Sequence, residues 1–378
     1  MAVTRLRHGF TTGACATAAA KGAALMLREQ RLVEEVEIIL PAGRTVGFRL
    51  VKQEFRADTA ACSVVKDGGD DPDVTNGAEI RVSVTFHPGP NRRDYILVAG
   101  GEGVGRVTKP GLAVAVGEPA INPVPRRMIR EVVKEIFAIR CLPGTFAVTV
   151  SVPNGAALAK KTLNQRLGIV GGLSILGTTG IVTPISARAW TDTIDAAIDV
   201  ALACGCKPVV LSTGRTSELV AMNYLGREAQ GAGHKDTQHL APCALCPVPE
   251  EAFVLMGDHV GHALRACQAK GVGEAVLAGQ FAKLVKIAAG NEQTHAMSAD
   301  LDLQALADWL AATPSAGHLA QLARRANTAR QVLEASGNTT VLIDLVCGRV
   351  RAFARQLAPD VAVKVLLAGY NGEVLYFE

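Results

Sequence analysis

LGIVGGLSILGTTGIVTPI, residues Leu167–Ile185, carries no charge over its whole length and has glycine at 168, 171, 172, 177 and 180. Its length reaches the lower limit of a membrane-spanning helix. Its composition argues against one, because glycine costs backbone entropy in a helix and Pro184 removes a donor. The stretch reads instead as short buried strands broken by glycine turns. Glycine at such turns reaches positive φ and lets backbone amides approach a small molecule closely, so the run is also a candidate ligand cradle. A tightly packed core crossing would give the same pattern.

On its N-terminal side, Thr11, Thr12 and Gly13 cap an alanine-rich helix running to about Arg28. Alternating apolar segments follow at 36–40, 45–51, near 60–65, 79–86 and 95–99, separated by Gly, Pro and Asp turns. Pro123 and Pro125 open a helix with Met128, Val132, Val133 and Ile136 on one face, and 146–153 is a further strand. Residues 1–152 therefore form a two-layer α+β domain with an antiparallel or mixed sheet. On the C-terminal side the rhythm changes. Strands at 208–213, 253–257 and 274–279 alternate with helices at 192–204, 217–226, 259–270 and 281–289, the pattern of a parallel, doubly wound sheet. Long helical patterns follow at about 315–336 and 339–357, and Asn371-Gly372 marks a terminal hairpin over 363–377. Residues 153–378 are thus a Rossmann-like parallel α/β domain, and the hairpin either extends its sheet or returns to the first domain. The fold class is α/β with α+β.

The 378 residues exceed one typical core. A net charge of +4 spread along the chain and only 4% aromatic residues exclude a nucleic-acid surface but leave room for an anionic small substrate. MAVTRLRHGF lacks the apolar core of a secretory signal, and no other segment approaches a membrane span, so a cytoplasmic protein is expected. The apolar composition is compatible with a homo-oligomer, although scattered exposed apolar residues are normal and do not read out the oligomeric state. Nine cysteines in such a compartment are mostly small buried hydrophobes. His239, Cys243 and Cys246 have a CxxC spacing suited to zinc or thiol redox chemistry, yet no second pair follows, and Cys204 and Cys206 would join only through the fold. No metal site is expected.

In an open parallel sheet, ligands bind outside the carboxyl ends of the strands. Here those ends read STGRTSE (212–218), MGDHVG (256–261) and GQFAKLVK (279–286). Ser212, Thr213, Arg215, Asp258, Gln280 and Lys283 should converge there, although Asp258 also sits where a helix cap belongs. GGDDPDVTNG (68–77) crowds Asp70, Asp71 and Asp73 into a turn without the twelfth-position Glu of a calcium loop. GGEGVGRVTKPG (100–111) fails both the dinucleotide and the Walker A fingerprints, because Arg106 takes the place of the last glycine and no Gly-Lys-Ser/Thr follows. Arg106, Lys109, Arg126 and Arg127 are candidates to pair with substrate carboxylates. A solvated basic surface is the plainer reading.

GFTTGACA (9–16), GGDDPDVTNG, GGEGVGRVTKPGL, INPVPRRMI (121–129), LNQRLGIVGGLSILGTTGIV (163–182), STGRTSE, MGDHVG and KLVKIAAG (283–290) occur in an order that resembles the CbiD family, the cobalt-precorrin-5B C1-methyltransferases of anaerobic cobalamin biosynthesis. The chain departs from the family pattern at Gln280 and Ala282, where relatives often have His and Gly, and at Ala296 after His295, where serine is common. The resemblance implies a two-domain enzyme. It would use S-adenosylmethionine to methylate C1 of a cobalt tetrapyrrole and give cobalt-precorrin-6A. On that basis the methyl donor is expected against Gly168, Gly171, Gly172, Gly177, Thr178, Thr179, Gly180, Ser212, Thr213, Gly214 and Gly257. The tetrapyrrole is expected against Asp70, Asp71, Asp73, Asn76, Arg106, Lys109, Arg126, Arg127 and Lys283, in a cleft facing the 68–77 and 100–111 loops, with Asp258 or His295 as a base. Cobalt would arrive within the substrate. The rival reading is a non-catalytic tetrapyrrole carrier.

Overall fold

The computed structural model describes residues 6–90, 96–137, 144–226, 248–314 and 316–378. The chain is mixed α/β and divides into two compact units, Met1–Ser186 and Ala187–Glu378. Each has its own apolar core, one drawn from Ala14 to Ile175 and the other from Ile194 to Ala368.

In the first unit, a five-stranded sheet has the order Val51–Phe55, Thr59–Val65, Glu79–Pro88, Gly144–Ser151, Ile96–Gly100. All pairs are antiparallel except the last. Burial alternates along Glu79–Pro88 and its partner Gly144–Ser151: Ile80, Val82 and Val84 are buried, as are Phe146, Val148 and Val150. A separate hairpin pairs Glu35–Ile39 with Thr45–Arg49. Helix Thr12–Glu29 starts at Thr11, whose hydroxyl accepts the Ala14 amide at 3.2 Å. It is buried nearly all round rather than on one face, because alanine lets the sheet, helix Pro123–Phe137 and the 174–176 segment all approach it.

The boundary expected after residue 152 lies instead after Ser186. Ile169–Val170 pairs with Arg106–Val107, and Ile181–Val182 pairs with Gly9–Phe10. These two-residue pairings tie the 153–186 segment to the first unit.

In the second unit, the sheet order is Phe253–Leu255, Val209–Ser212, Glu274–Gln280, Ala362–Ala368, Val374–Phe377. The first four strands are parallel and the last is antiparallel. The terminal hairpin therefore extends this sheet and does not return to the first unit. The helical pattern expected over 315–336 is two helices, Gly317–Arg325 and Ala329–Ala335, the second capped by the Thr328 hydroxyl at the Gln331 amide. Helix Leu303–Ala311 precedes them, and Thr340–Leu357 follows. No helix among the described residues is long and apolar enough to cross a membrane.

Candidate functional site

Numbered by chain order, the parallel strands of the second unit run 2-1-3-4, so the order reverses between Val209–Ser212 and Glu274–Gln280. The crevice outside the carboxyl ends at such a reversal is where open α/β sheets bind ligands. Ser212 ends the first of these strands. It is fully buried, and its Oγ has no hydrogen-bond partner among the described residues. An unmatched buried hydroxyl costs about 1–3 kcal/mol, which a polar ligand atom would recover. Thr213 donates its amide to the Ala278 carbonyl at 3.0 Å, and its hydroxyl lies 3.4 Å from Ser217 Oγ. Gly214 faces open space. Helix Arg215–Gly226 begins here, so its first amides serve the same end of the sheet. Arg215 itself is exposed, 3.7 Å from the buried Glu218 carboxylate. Gln280 precedes helix Phe281–Ala288 without capping it through its side chain.

Asp258, Lys283 and Thr294 meet at the same edge. The Asp258 Oδ1 accepts from Lys283 Nζ and, at 2.5 Å, from the Thr294 hydroxyl. The Thr294 amide donates to the Asp258 carbonyl at 3.1 Å, and Lys283 and Lys286 both donate to the Thr294 carbonyl. Burial acts to raise the Asp258 carboxyl, but the Lys283 and Thr294 hydrogen bonds outweigh it and hold the group below the usual carboxylate range. His295 is exposed, and its Nδ1 accepts the Met297 amide at 3.2 Å, which places the proton of the neutral ring on Nε2. These are the contacts that the two candidate bases make. Lys283, expected on substrate, is committed to Asp258.

Sequence reasoning missed an aromatic pair beside this cluster. Trp190, in helix Ala187–Ala203, donates its indole N–H to the Met256 carbonyl at 3.1 Å. Gly257, at φ +58°, lies along that edge of the ring, where a Cβ would meet Cζ2, Nε1 and Cε2 at 3.2–3.4 Å. Gly257 is accordingly used to seat the indole. His259 stacks on Trp190 with centroids 6.4 Å apart, and its Nδ1 accepts from the Gln293 amide at 2.9 Å. Burial lowers the His259 pKa, outweighing the opposing effect of Asp258. Tyr370, also missed, follows the fourth parallel strand under the Arg330 guanidinium at 4.5 Å. The available signal was rarity, since the chain has two tryptophans.

In the first unit, the polar loop 66–77 binds its own chain. The buried Lys66 donates to Asp73 at 2.6 Å, and Asp73 also accepts from the Thr75 amide and hydroxyl. Asp70 accepts the Arg7 amide, Asp71 the Ile185 amide at 2.9 Å, and Asn76 the Gly68 amide. These four residues, expected on substrate, have structural partners. Arg126 lies 3.3 Å from the Val98 carbonyl and 3.8 Å from Glu118, and Arg106 donates to the Gly117 carbonyl. Arg127 is 63% exposed, with Glu131 3.8 Å away.

The glycine run is a packing seam. A Cβ on Gly172 would collide with the Gly103 carbonyl oxygen and lie 2.7 Å from the Val104 carbonyl carbon. On Gly168 it would meet the Lys109 side chain at 2.5 Å, on Gly177 the Thr11 Cβ at 2.5 Å, and on Gly180 the Leu40 side chain at 2.8 Å. The close approach that these four permit is to the chain itself, and only Gly171 of the five faces open space. Thr179 bonds within its own turn, its hydroxyl accepting the Ile181 amide. Thr178 lies between Gly177 and Thr179 in the same segment.

Among the described residues, no group of three or more His, Cys, Asp or Glu side chains could hold a metal. Cys204 is exposed and Cys206 buried, whereas His239, Cys243 and Cys246 lie outside the described residues.

A mostly parallel sheet with an unmatched polar group and open glycine backbone at its switch point defines the class, a mixed α/β protein. The comparisons give the particular family. The profile described as CbiD matches residues 2–184, and that described as CbiD, C-terminal domain, matches residues 293–378. The chain is 64% identical to the Cobalt-precorrin-5B C(1)-methyltransferase of Geobacter sulfurreducens over 98% of each chain, and 62% identical to that of Geotalea daltonii over the same shares. It is also similar to a solved structure, the cobalamin biosynthesis protein (cbiD) from Archaeoglobus fulgidus, at 30% identity, covering 76% of this chain and 81% of that one, with a TM-score of 0.38. The chain belongs to the CbiD family.

Proposed function

We propose that this chain methylates C1 of cobalt-precorrin-5B with S-adenosylmethionine as the donor. The carrying observation is identity of 64% and 62%, over 98% of each chain, to relatives that bear this activity as their name. The strand order supports a Rossmann-like reading of the second unit, and the orphaned Ser212 hydroxyl fits a polar ligand at its switch point. Ser212, Thr213, Ser217 and the amides around Gly214 would hold the donor. When bound, that donor supplies an electrophilic methyl group on a sulfonium sulfur.

Displacement at such a centre depends on in-line placement more than on acid–base groups. Asp258 then acts by position: its carboxylate fixes Lys283 and the Thr294–His295 junction relative to the strand ends. Arg127 and Arg106 in the first unit are the groups we assign to carboxylates of the macrocycle. Arg126 and the 70–76 carboxylates keep their loops in place.

Anaerobic turnover with cobalt-precorrin-5B and a donor carrying a ¹³C methyl group tests the reading. A single label at C1 is expected. Tight macrocycle binding with no label, under conditions where the Geobacter relative works, would replace the enzyme with a carrier.

A further inference from the structure

The reading above leaves Trp190 without a role, although a large aromatic ring is costly to leave in water. Trp190 remains 42% exposed while its position is fixed. The indole is pinned along its N–H edge by the Met256 carbonyl at 3.1 Å and by the Gly257 backbone, while part of the residue stays in solvent. A ring held by one edge is a rigid stacking surface that loses little rotamer entropy on binding.

His259 supplies the rest. It is stacked beside the indole at 6.4 Å, and Gln293 occupies its Nδ1, which leaves Nε2–H as a donor. With the Gln293 amide N–H donating to Nδ1, the neutral ring carries its proton on Nε2. Helix Val260–Ala269 begins directly after His259, and its Gly261 amide is taken by the Glu292 carbonyl at 3.0 Å, so the ring nitrogen is the donor this end of the sheet presents. A pinned indole and an adjacent ring N–H donor at the carboxyl end of Phe253–Leu255 suit a flat neutral heterocycle bearing ring-nitrogen acceptors.

We infer that Trp190 and His259 form the stacking seat for the purine ring of the methyl donor. This deepens the proposed function and rests on it. One indole matches a purine in size, whereas the tetrapyrrole is several times larger and carries carboxylates for which this pair offers no cation.

The test uses the full chain with Trp309→Phe, which leaves Trp190 as the sole tryptophan and its surroundings native. Adenosine and S-adenosylhomocysteine should each quench its emission saturably. By calorimetry, Trp190→Ala should weaken S-adenosylhomocysteine binding by about tenfold or more, and Trp190→Phe, which keeps a ring, by clearly less. Circular dichroism and melting of both variants separate lost binding from lost folding. Unchanged affinity in a folded Trp190→Ala protein overturns the seat and leaves the methyl-donor reading standing. Quenching by the tetrapyrrole but not by adenosine reassigns the surface to the substrate and also overturns it. Absence of any S-adenosylhomocysteine binding by the unaltered chain would remove both the seat and the donor assignment.

Discussion

Replacing Gly103 with alanine adds one methyl group at the point where the 100–107 and 168–173 loops meet. Gly103 has φ +69°, a conformation that costs an alanine about 1–2 kcal/mol. Its new Cβ would collide with the Val152 carbonyl oxygen and lie 3.0 Å from the Gly155 amide nitrogen, both backbone atoms with little freedom to give. Overpacking of this kind costs about 1–3 kcal/mol, so the sum is about 2–5 kcal/mol. For a unit of this size that corresponds to a fall in melting temperature of about 4–20 °C. Two comparisons isolate the causes. Gly172→Ala has no positive φ to pay but meets the Gly103 carbonyl, so about 1–3 kcal/mol is expected. Gly117→Ala has φ +89° and nothing within 4 Å, so strain alone remains, about 1–2 kcal/mol less the gain from a stiffer unfolded chain. Differential scanning calorimetry, with S-adenosylhomocysteine affinity measured in parallel, reads both effects. If Gly103→Ala and Gly172→Ala melt within about 1 °C of the unaltered protein yet lose ligand affinity, the seam is a ligand cradle and the packing argument fails.

Lys66→Met should cost about 3 kcal/mol in urea unfolding, because it strands the partly buried Asp73 carboxylate; a loss below about 0.5 kcal/mol would mean that the pair contributes no net stability. Burial raises the Asp73 carboxyl, but hydrogen bonds from Lys66 and Thr75 win and depress it. Its contribution is therefore full above the unfolded value of about 3.9 and is lost as pH falls through the lower folded value. Asp73→Asn should flatten melting temperature against pH in that acid range, and an unaltered acid slope would contradict the assignment. Asp258→Asn should lower kcat while leaving the shape of the pH–rate profile intact, whereas loss of the acid limb would make Asp258 a base after all. Burial pushes the thiols of Cys15, Cys62, Cys267 and Cys347 up to about 12, so mass mapping should find them unreacted with iodoacetamide when the exposed Cys204 is already alkylated.

The parallel strands were legible because each is a short apolar run ending in glycine and polar residues, and the observed Val209–Ser212 and Glu274–Gln280 fall on the expected segments. The attachment of 153–186 was not, because it depends on pairings of two residues each, between Ile181 and Phe10 and between Ile169 and Val107, that leave no periodic trace. The glycine run was ambiguous for a physical reason: a missing Cβ serves a ligand and a neighbouring backbone equally, and only the structure shows Gly103 opposite Gly172. Trp190 meets the Met256 carbonyl across 66 positions of sequence, which local patterning does not encode. Asp258 looked like a candidate base in the sequence, but its neighbourhood to Lys283 and Thr294 arises only when helix Phe281–Ala288 and the loop after it come against the end of Phe253–Leu255.

We assign the methyl donor to the carboxyl edge of the second unit's sheet rather than to the glycine run. Hydrogen–deuterium exchange of the full chain, with and without saturating S-adenosylhomocysteine, tests it most directly. Protection is expected in peptides covering 212–218 and 256–261, with none in 168–180. Protection confined to 100–111 and 168–180 would contradict it.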